Sequence, residues 1–383
     1  MSQDDWDRRC FMLRAAGGAA AFCIGGRAVA EDRAEGSSVL TTRKAGLALH
    51  RARWWKSAGE QGVRCGLCPH SCRVADGERG LCGVRENREG RYYTLVYGRP
   101  GAVHLDPIEK KPFYHVLPGQ TALSLGAPGC NLECRFCQNW DISQARPEEV
   151  RTYLAPPEQI VALAKKRKAP TIACTYSEPT VWAEFVLDIG RAAQKAGLRT
   201  LMVSNGFIQA QPMTDLQAVL SAVKIDLKAF TSAFYRRMCR GQLRPVLDTL
   251  RLLAKRGTWT EIVVLTIPGH NDTEREIRGL ARFVRSELGP DVPLHFSRFR
   301  PAYRLKNVPR TPITTLERAR HVAQDEGLRF VYVGNVPGHP ANHTYCPGCQ
   351  NPIIRRTGMA VLENQLANGE CPHCSRRIPG IWK

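Results

Sequence analysis

The sequence predicts an α/β fold, a full or partial (β/α) barrel with a small cysteine-rich module at each end. Three observations predict it. Seven short apolar runs alternate with helix-length amphipathic segments between Thr121 and about Gly334. Repeated β-then-α units imply parallel strands joined by right-handed crossovers. No G-x-G-x-x-G follows the first run, which removes the best evidence for an open doubly wound sheet and favours a barrel of six or seven units. Eleven of the fifteen cysteines fall into three tight groups, and two of those groups flank the alternating region.

Taken in order, the chain opens on D-R-R-C-F-M-L-R at Asp7–Arg14, then the small and apolar run Ala15–Gly26 and Ala28-Val29-Ala30. A twin-arginine pair, a mild apolar region and an A-x-A site predict a Tat leader over 1–30; a basic tail is the plainer reading. Residues 31–110 form a lead-in and a first cysteine module. The lead-in is polar, helical or irregular, with Trp54 and Trp55 packing onto the cysteine module, which ends in the strand-like run Tyr92–Tyr97. Barrel strands are expected at Thr121–Leu125, Thr171–Thr175, Thr200–Ser204, Ala222–Asp226, Glu261–Thr266, Pro293–Phe296 and Phe330–Val333, within a domain spanning 111–336. Between them, Ile160-Val161-Leu163-Ala164 and Val246-Leu247-Leu250-Leu252-Leu253 carry helical spacing. A second module, 337–383, closes the chain. In a parallel barrel the chemistry sits where strands end and loops begin.

Composition bounds the function. The 383 residues, 43% of them hydrophobic, can bury a substantial core, which excludes disorder and collagen-like repeats. No stretch reaches the roughly 18–20 apolar residues needed to span a bilayer. A formal charge of +20 raises the question of a nucleic-acid partner. Only 13 of the 55 cations are Lys, and the Arg are scattered, which weighs against one.

The middle cysteines, Cys130, Cys134 and Cys137, form a C-x3-C-x2-C loop directly after the first barrel strand. A [4Fe–4S] cube commonly takes four thiolates, so three leave one iron open to a substrate or cofactor. The alternative is zinc with a distant fourth ligand, but zinc sites usually pair C-x2-C knuckles. Cys65, Cys68, Cys72 and Cys82 are enough to saturate a metal. They suit structural zinc, slightly preferred because a small Gly-rich module needs a stabilising ion, or an auxiliary electron-relay cluster, and His70 could replace one of them. Cys346, Cys349, Cys371 and Cys374 form two C-x2-C knuckles with zinc-ribbon spacing. His339, His343 and His373 read as surface or outer-shell groups. Cys174 and Cys239 read as buried thiols.

The C-x3-C-x2-C loop with Phe136 before its last cysteine resembles the signature of radical S-adenosylmethionine (SAM) enzymes, whose fold is a partial (β/α)6-type barrel. The framing Cys65–Cys72, the loop GAPGCNLECRFCQNWDIS, the TYSEPT stretch and HFSRFRP are similar to the AmmeMemoRadiSam-system radical enzymes, relatives of the pyruvate formate-lyase activating enzymes. The similarity runs from about residue 50 to 383. It implies SAM chelated at the open iron of a cluster on Cys130, Cys134 and Cys137, reductive cleavage of SAM, and hydrogen abstraction by a 5′-deoxyadenosyl radical. It also implies roles at strand ends. Glu178 stands where the superfamily contacts the methionine amino group, although Tyr176 and Ser177 replace the two glycines of that motif. Ser204 and Asn205 stand where ribose is contacted, or make a tight turn. Asp226-Leu227-Lys228 resembles the D-L-K of the activating enzymes, Lys228 pairing with the cofactor carboxylate or with Asp226. Phe136 packs on adenine or merely shields the cluster.

The expected function is therefore a radical SAM oxidoreductase, glycyl-radical-activase-like or acting on some other protein or peptide. Expected partners are a low-potential flavodoxin- or ferredoxin-type donor and Memo-type and AMMECR-type proteins. An RNA-modifying radical SAM enzyme and a non-catalytic zinc-stapled binding protein are the alternatives. The leader points outward, whereas the cofactor and its reductants are cytosolic; catalysis in the cytoplasm is expected, with Tat export as the alternative.

Overall fold

The computed structural model describes residues 46–383; the expected leader lies outside the described residues. The central sheet has eight strands: β1 (Ala102–Pro107), β2 (Thr121–Gly126), β3 (Thr171–Cys174), β4 (Arg199–Ser204), β5 (Ala222–Asp226), β6 (Trp259–Thr266), β7 (Leu294–Arg298) and β8 (Val331–Gly334). Strands β2 to β8 are parallel and lie side by side in chain order. That order is the barrel expectation; a doubly wound sheet would reverse direction part-way. Helices α1 (Pro157–Lys166), α2 (Ala183–Lys195), α3 (Ala210–Gln217), α4 (Leu243–Lys255), α5 (Glu274–Phe283) and α6 (Ile313–Asp325) supply the six crossovers. The result is a partial barrel of six β/α units and a seventh strand.

Each strand was readable because a parallel strand buried on both faces is nearly all apolar. Thr171–Cys174 is buried at every position. The helices obey the 3.6-residue period: α1 buries Ile160, Val161, Leu163 and Ala164, and α4 buries Val246, Leu250 and Leu253. Strand β1 escaped the reading. It pairs antiparallel to β2 at the sheet edge, leaves His104 and Leu105 exposed, and shows neither a buried run nor a clean alternation. The run expected at Tyr92–Tyr97 is shorter as a strand, Arg91–Thr94.

The two cysteine modules sit on opposite ends of the barrel. At the end where strands begin, Tyr114, Phe330 and Tyr332 share one buried cluster with Cys346, Ile353, Cys371 and Ile378 of the C-terminal module. At the end where strands finish, the Leu67 carbonyl accepts from Gln209 just after β4, and Trp54 Nε1 donates to Asp215 on α3 at 2.7 Å. The N-terminal module therefore lies on the face where chemistry is expected.

Candidate functional site

The Cys130 loop leaves the C-terminal end of β2 through Gly129, whose φ of +95° is in the left-handed region. A Cβ there would meet Val84 Cγ1 at 2.6 Å and the Cys82 carbonyl at 2.9 Å, so glycine lets the loop press against the N-terminal module. Beyond it the loop is clamped on every side. Glu133 and Arg135 donate backbone N–H groups to the Cys239 and Met238 carbonyls, both at 2.9 Å. His70 Nε2 stands 2.8 Å from the Asn131 carbonyl, and the Asn131 amide donates to Phe207 O at 2.6 Å. Cys134 is buried, and Cys130 and Cys137 are partly exposed.

Neighbouring strand ends converge on this loop. Asn205, after β4, donates from Nδ2 to Asn131 Oδ1 at 2.9 Å and reaches Cys130 Sγ at 3.8 Å, while its Oδ1 accepts from Phe207 N at 2.8 Å. The turn and the cysteine contact are thus made by one side chain. Glu178, after β3, is 2% exposed. Its Oε1 accepts from Thr180 N, Thr180 Oγ1 and Ser204 Oγ at 3.0, 2.7 and 2.7 Å, and its Oε2 from Asn205 N at 2.7 Å. Burial pushes its carboxyl above the ordinary value despite those donors. Asp226 lies between Lys224, in contact, and Lys228 at 2.9 Å. Burial works to raise its pKa, but the two ammonium groups win and hold it well below the carboxylate range. The Lys228–Asp226 ion pair is present, and Lys228 also lies near Cys134. Phe136 is 3% exposed and packs against Phe234, ring centroids 5.7 Å apart.

Three features were not foreseen. Cys239 lies beside Cys134, and its proximity, with help from Lys228, holds the Cys134 thiol below its usual value against the effect of burial. Tyr176 takes the left-handed φ of +69°. It stands where the motif has glycine, and is anchored by its hydroxyl on Asp106 and by Lys111 Nζ 4.2 Å from its ring centroid. Trp140, 47% exposed just past the loop, stacks on Tyr303 at 5.4 Å. Only Tyr176 left a signal in the sequence, as a bulky residue at a position where the motif has glycine.

Spacing separates the three cysteine groups. The four C-terminal sulfurs all lie within 4.8 Å of one another. Among the described residues, this is the group that closes tightly enough for a single metal ion.

The family model described as "Radical SAM superfamily" matches residues 125–284, from the end of β2 past the end of α5. The chain belongs to the radical SAM superfamily. An uncharacterized protein, MJ0808, of Methanocaldococcus jannaschii is 41% identical over 86% of this chain and 99% of its own length. The pyruvate formate-lyase 1-activating enzyme of Escherichia coli is 24% identical over 53% of this chain and 89% of its own, so activating enzymes are distant homologues. Among solved structures, a radical SAM methyltransferase from Sphaerobacter thermophilus is 16% identical over 57% of this chain and 68% of its own, with a TM-score of 0.45. Membership of this radical SAM superfamily implies a [4Fe–4S] cluster and SAM. No helix among the described residues is long and apolar enough to cross a membrane.

Proposed function

We propose that this radical SAM protein holds its cluster on Cys130, Cys134 and Cys137 and removes a hydrogen atom from a protein or peptide. The observation that carries the reading is the three-thiol loop at the finishing end of β2, with Asn205 reaching Cys130 from the finishing end of β4. The donor set fits: three thiols on one loop, beside a cationic lysine. When bound, the cluster supplies one electron to SAM, whose cleavage gives methionine and a 5′-deoxyadenosyl radical that takes hydrogen from the substrate.

The chain's own residues bind and orient. Glu178 ties β3 to β4 and keeps one lone pair of Oε2 for an ammonium group. Lys228, fixed by Asp226, offers a cation to a carboxylate. Asn205 holds the Cys130 side of the loop and presents an amide near the ribose position; Ser204 orients Glu178. Phe136 is read as a shield, since it is buried against Phe234. The activating-enzyme homology supports a protein or peptide substrate, and an external low-potential reductant completes the requirement. The motifs from Cys65 to Cys72 and at TYSEPT support placement in the AmmeMemoRadiSam group, with Memo-type and AMMECR-type partners and action in the cytoplasm. The C-terminal sulfurs, at 3.5 and 3.7 Å in pairs, support zinc there.

The test is anaerobic reconstitution of the full chain followed by reduction with dithionite in the presence of SAM. Release of 5′-deoxyadenosine, abolished in Cys130→Ala, is the expected result. Zinc on these three thiols, with no cleavage of SAM, overturns the proposal. Deuterium transfer from a labelled captured protein into 5′-deoxyadenosine identifies the substrate.

A further inference from the structure

Cys65, Cys68, Cys72 and Cys82 together line one cavity. Arg85 and Tyr92 also line it, each 1% exposed, and Arg85 Nε and Tyr92 Oη have no hydrogen-bond partner. A buried donor left unpaired costs roughly 1–3 kcal/mol, so two of them facing one cavity require an acceptor inside it. Gly80 keeps the wall open: a Cβ there would stand 3.0 Å from Tyr92 Oη and 3.8 Å from Cys72 Sγ.

The occupant is set by the spread of the thiols. With Zn–S bonds of about 2.3 Å, four tetrahedral thiolates stand about 3.8 Å apart. The C-terminal group matches this, with sulfur pairs at 3.5 and 3.7 Å. Among the described residues, the C-terminal four are the group gathered closely enough for a single ion, and neither the N-terminal four nor Cys130, Cys134 and Cys137 join them. A cube of four irons and four sulfides binds one thiolate at each iron corner and so takes thiols set wider apart than one ion allows.

We infer that Cys65, Cys68, Cys72 and Cys82 hold a second [4Fe–4S] cluster, saturated by thiolates, and not the structural zinc slightly preferred for a small Gly-rich module. Arg85 and Tyr92 donate to its sulfurs. The cluster abuts the first: the Gly129 backbone packs on the Cys82 carbonyl, and Asn131, next to Cys130, lines the cavity and meets His70. Its standing as an electron store for the Cys130 site rests on the proposed function above; its existence does not.

The test counts iron, acid-labile sulfide and zinc in the anaerobically reconstituted full chain and in the Cys130→Ala/Cys134→Ala/Cys137→Ala variant. About eight irons per wild-type chain and about four in the variant are expected. The reduced variant should also give an electron paramagnetic resonance signal that SAM leaves unchanged, because no iron is open. A wild-type chain with about four irons, all lost in the variant, and two zincs overturns this inference and leaves the radical reading intact. About four irons in the wild type that survive in the variant remove the radical reading and keep this one. Should the variant fail to fold, the wild-type count alone decides: about four irons with two zincs overturns it.

Discussion

Tyr176 shows how a single side chain compensates for a departure from the motif. Its φ of +69° is a conformation glycine adopts freely and L-residues adopt only at a cost. The cost is offset by the hydroxyl bond to Asp106 and the Lys111 contact. Tyr176→Ala keeps the strain and loses both anchors, so urea denaturation should find it less stable than Tyr176→Gly by about 1 kcal/mol. If alanine is the better tolerated, the strain argument fails. Gly129 is the converse case, a glycine that cannot grow. Gly129→Ala should lower stability by about 1–3 kcal/mol and weaken iron retention at the Cys130 loop, because Val84 and the Cys82 carbonyl stand within 3 Å of the new atom. Wild-type iron content and denaturation midpoint in that variant would contradict it.

Among elements, the C-terminal ribbon is the one the proposed zinc would order. Its strands Pro352–Thr357 and Ala360–Asn364 leave Leu362 and most of the second strand exposed, so apolar burial alone holds them weakly. Removal of the proposed zinc with a chelator should abolish amide-exchange protection across 344–382 and leave that of β3 to β6 in place. Unaltered protection would mean that Ile353, Cys371 and Ile378, packed against Tyr114 and Phe330, suffice without metal. The barrel strands were legible in the sequence because burial on both faces writes a continuous apolar run, as at Thr171–Cys174. The edge strand Ala102–Pro107 was not. Its identity comes from hydrogen bonds to β2, which composition does not record.

For the whole molecule, one buried ion pair joins the N-terminal module to the barrel. Arg85 donates both terminal nitrogens to Glu184 on α2, at 2.9 and 2.7 Å, with both side chains 1–2% exposed. Burial works to raise the Glu184 pKa, but the guanidinium outweighs it and the carboxyl is held below its ordinary 4.5. The folded state therefore keeps Glu184 ionised at a pH where the unfolded chain has already bound a proton. The stability so contributed is complete above pH 4.5 and is lost as pH falls through the lower folded value. Glu184→Gln should remove that portion of the acid dependence and cost about 3–5 kcal/mol at neutral pH, since Arg85 is left buried and unpaired. A neutral-pH loss below about 1 kcal/mol would show that the pair does not hold the module.

The sequence by itself determined the order of β and α elements, the barrel class and the three cysteine groups, because periodicity and ligand spacing are local properties of the chain. It also named Cys130, Glu178, Asn205 and Lys228 as residues at strand ends. Only the tertiary structure decided that Glu178 accepts four hydrogen bonds from its neighbours, that Cys239 lies beside Cys134, and that one cysteine module faces the reacting end while the other closes the opposite one. The gap between one thiol and another is set by how separate loops fold against each other. C-x2-C spacing is therefore silent on whether four sulfurs close on one ion or open round a cube.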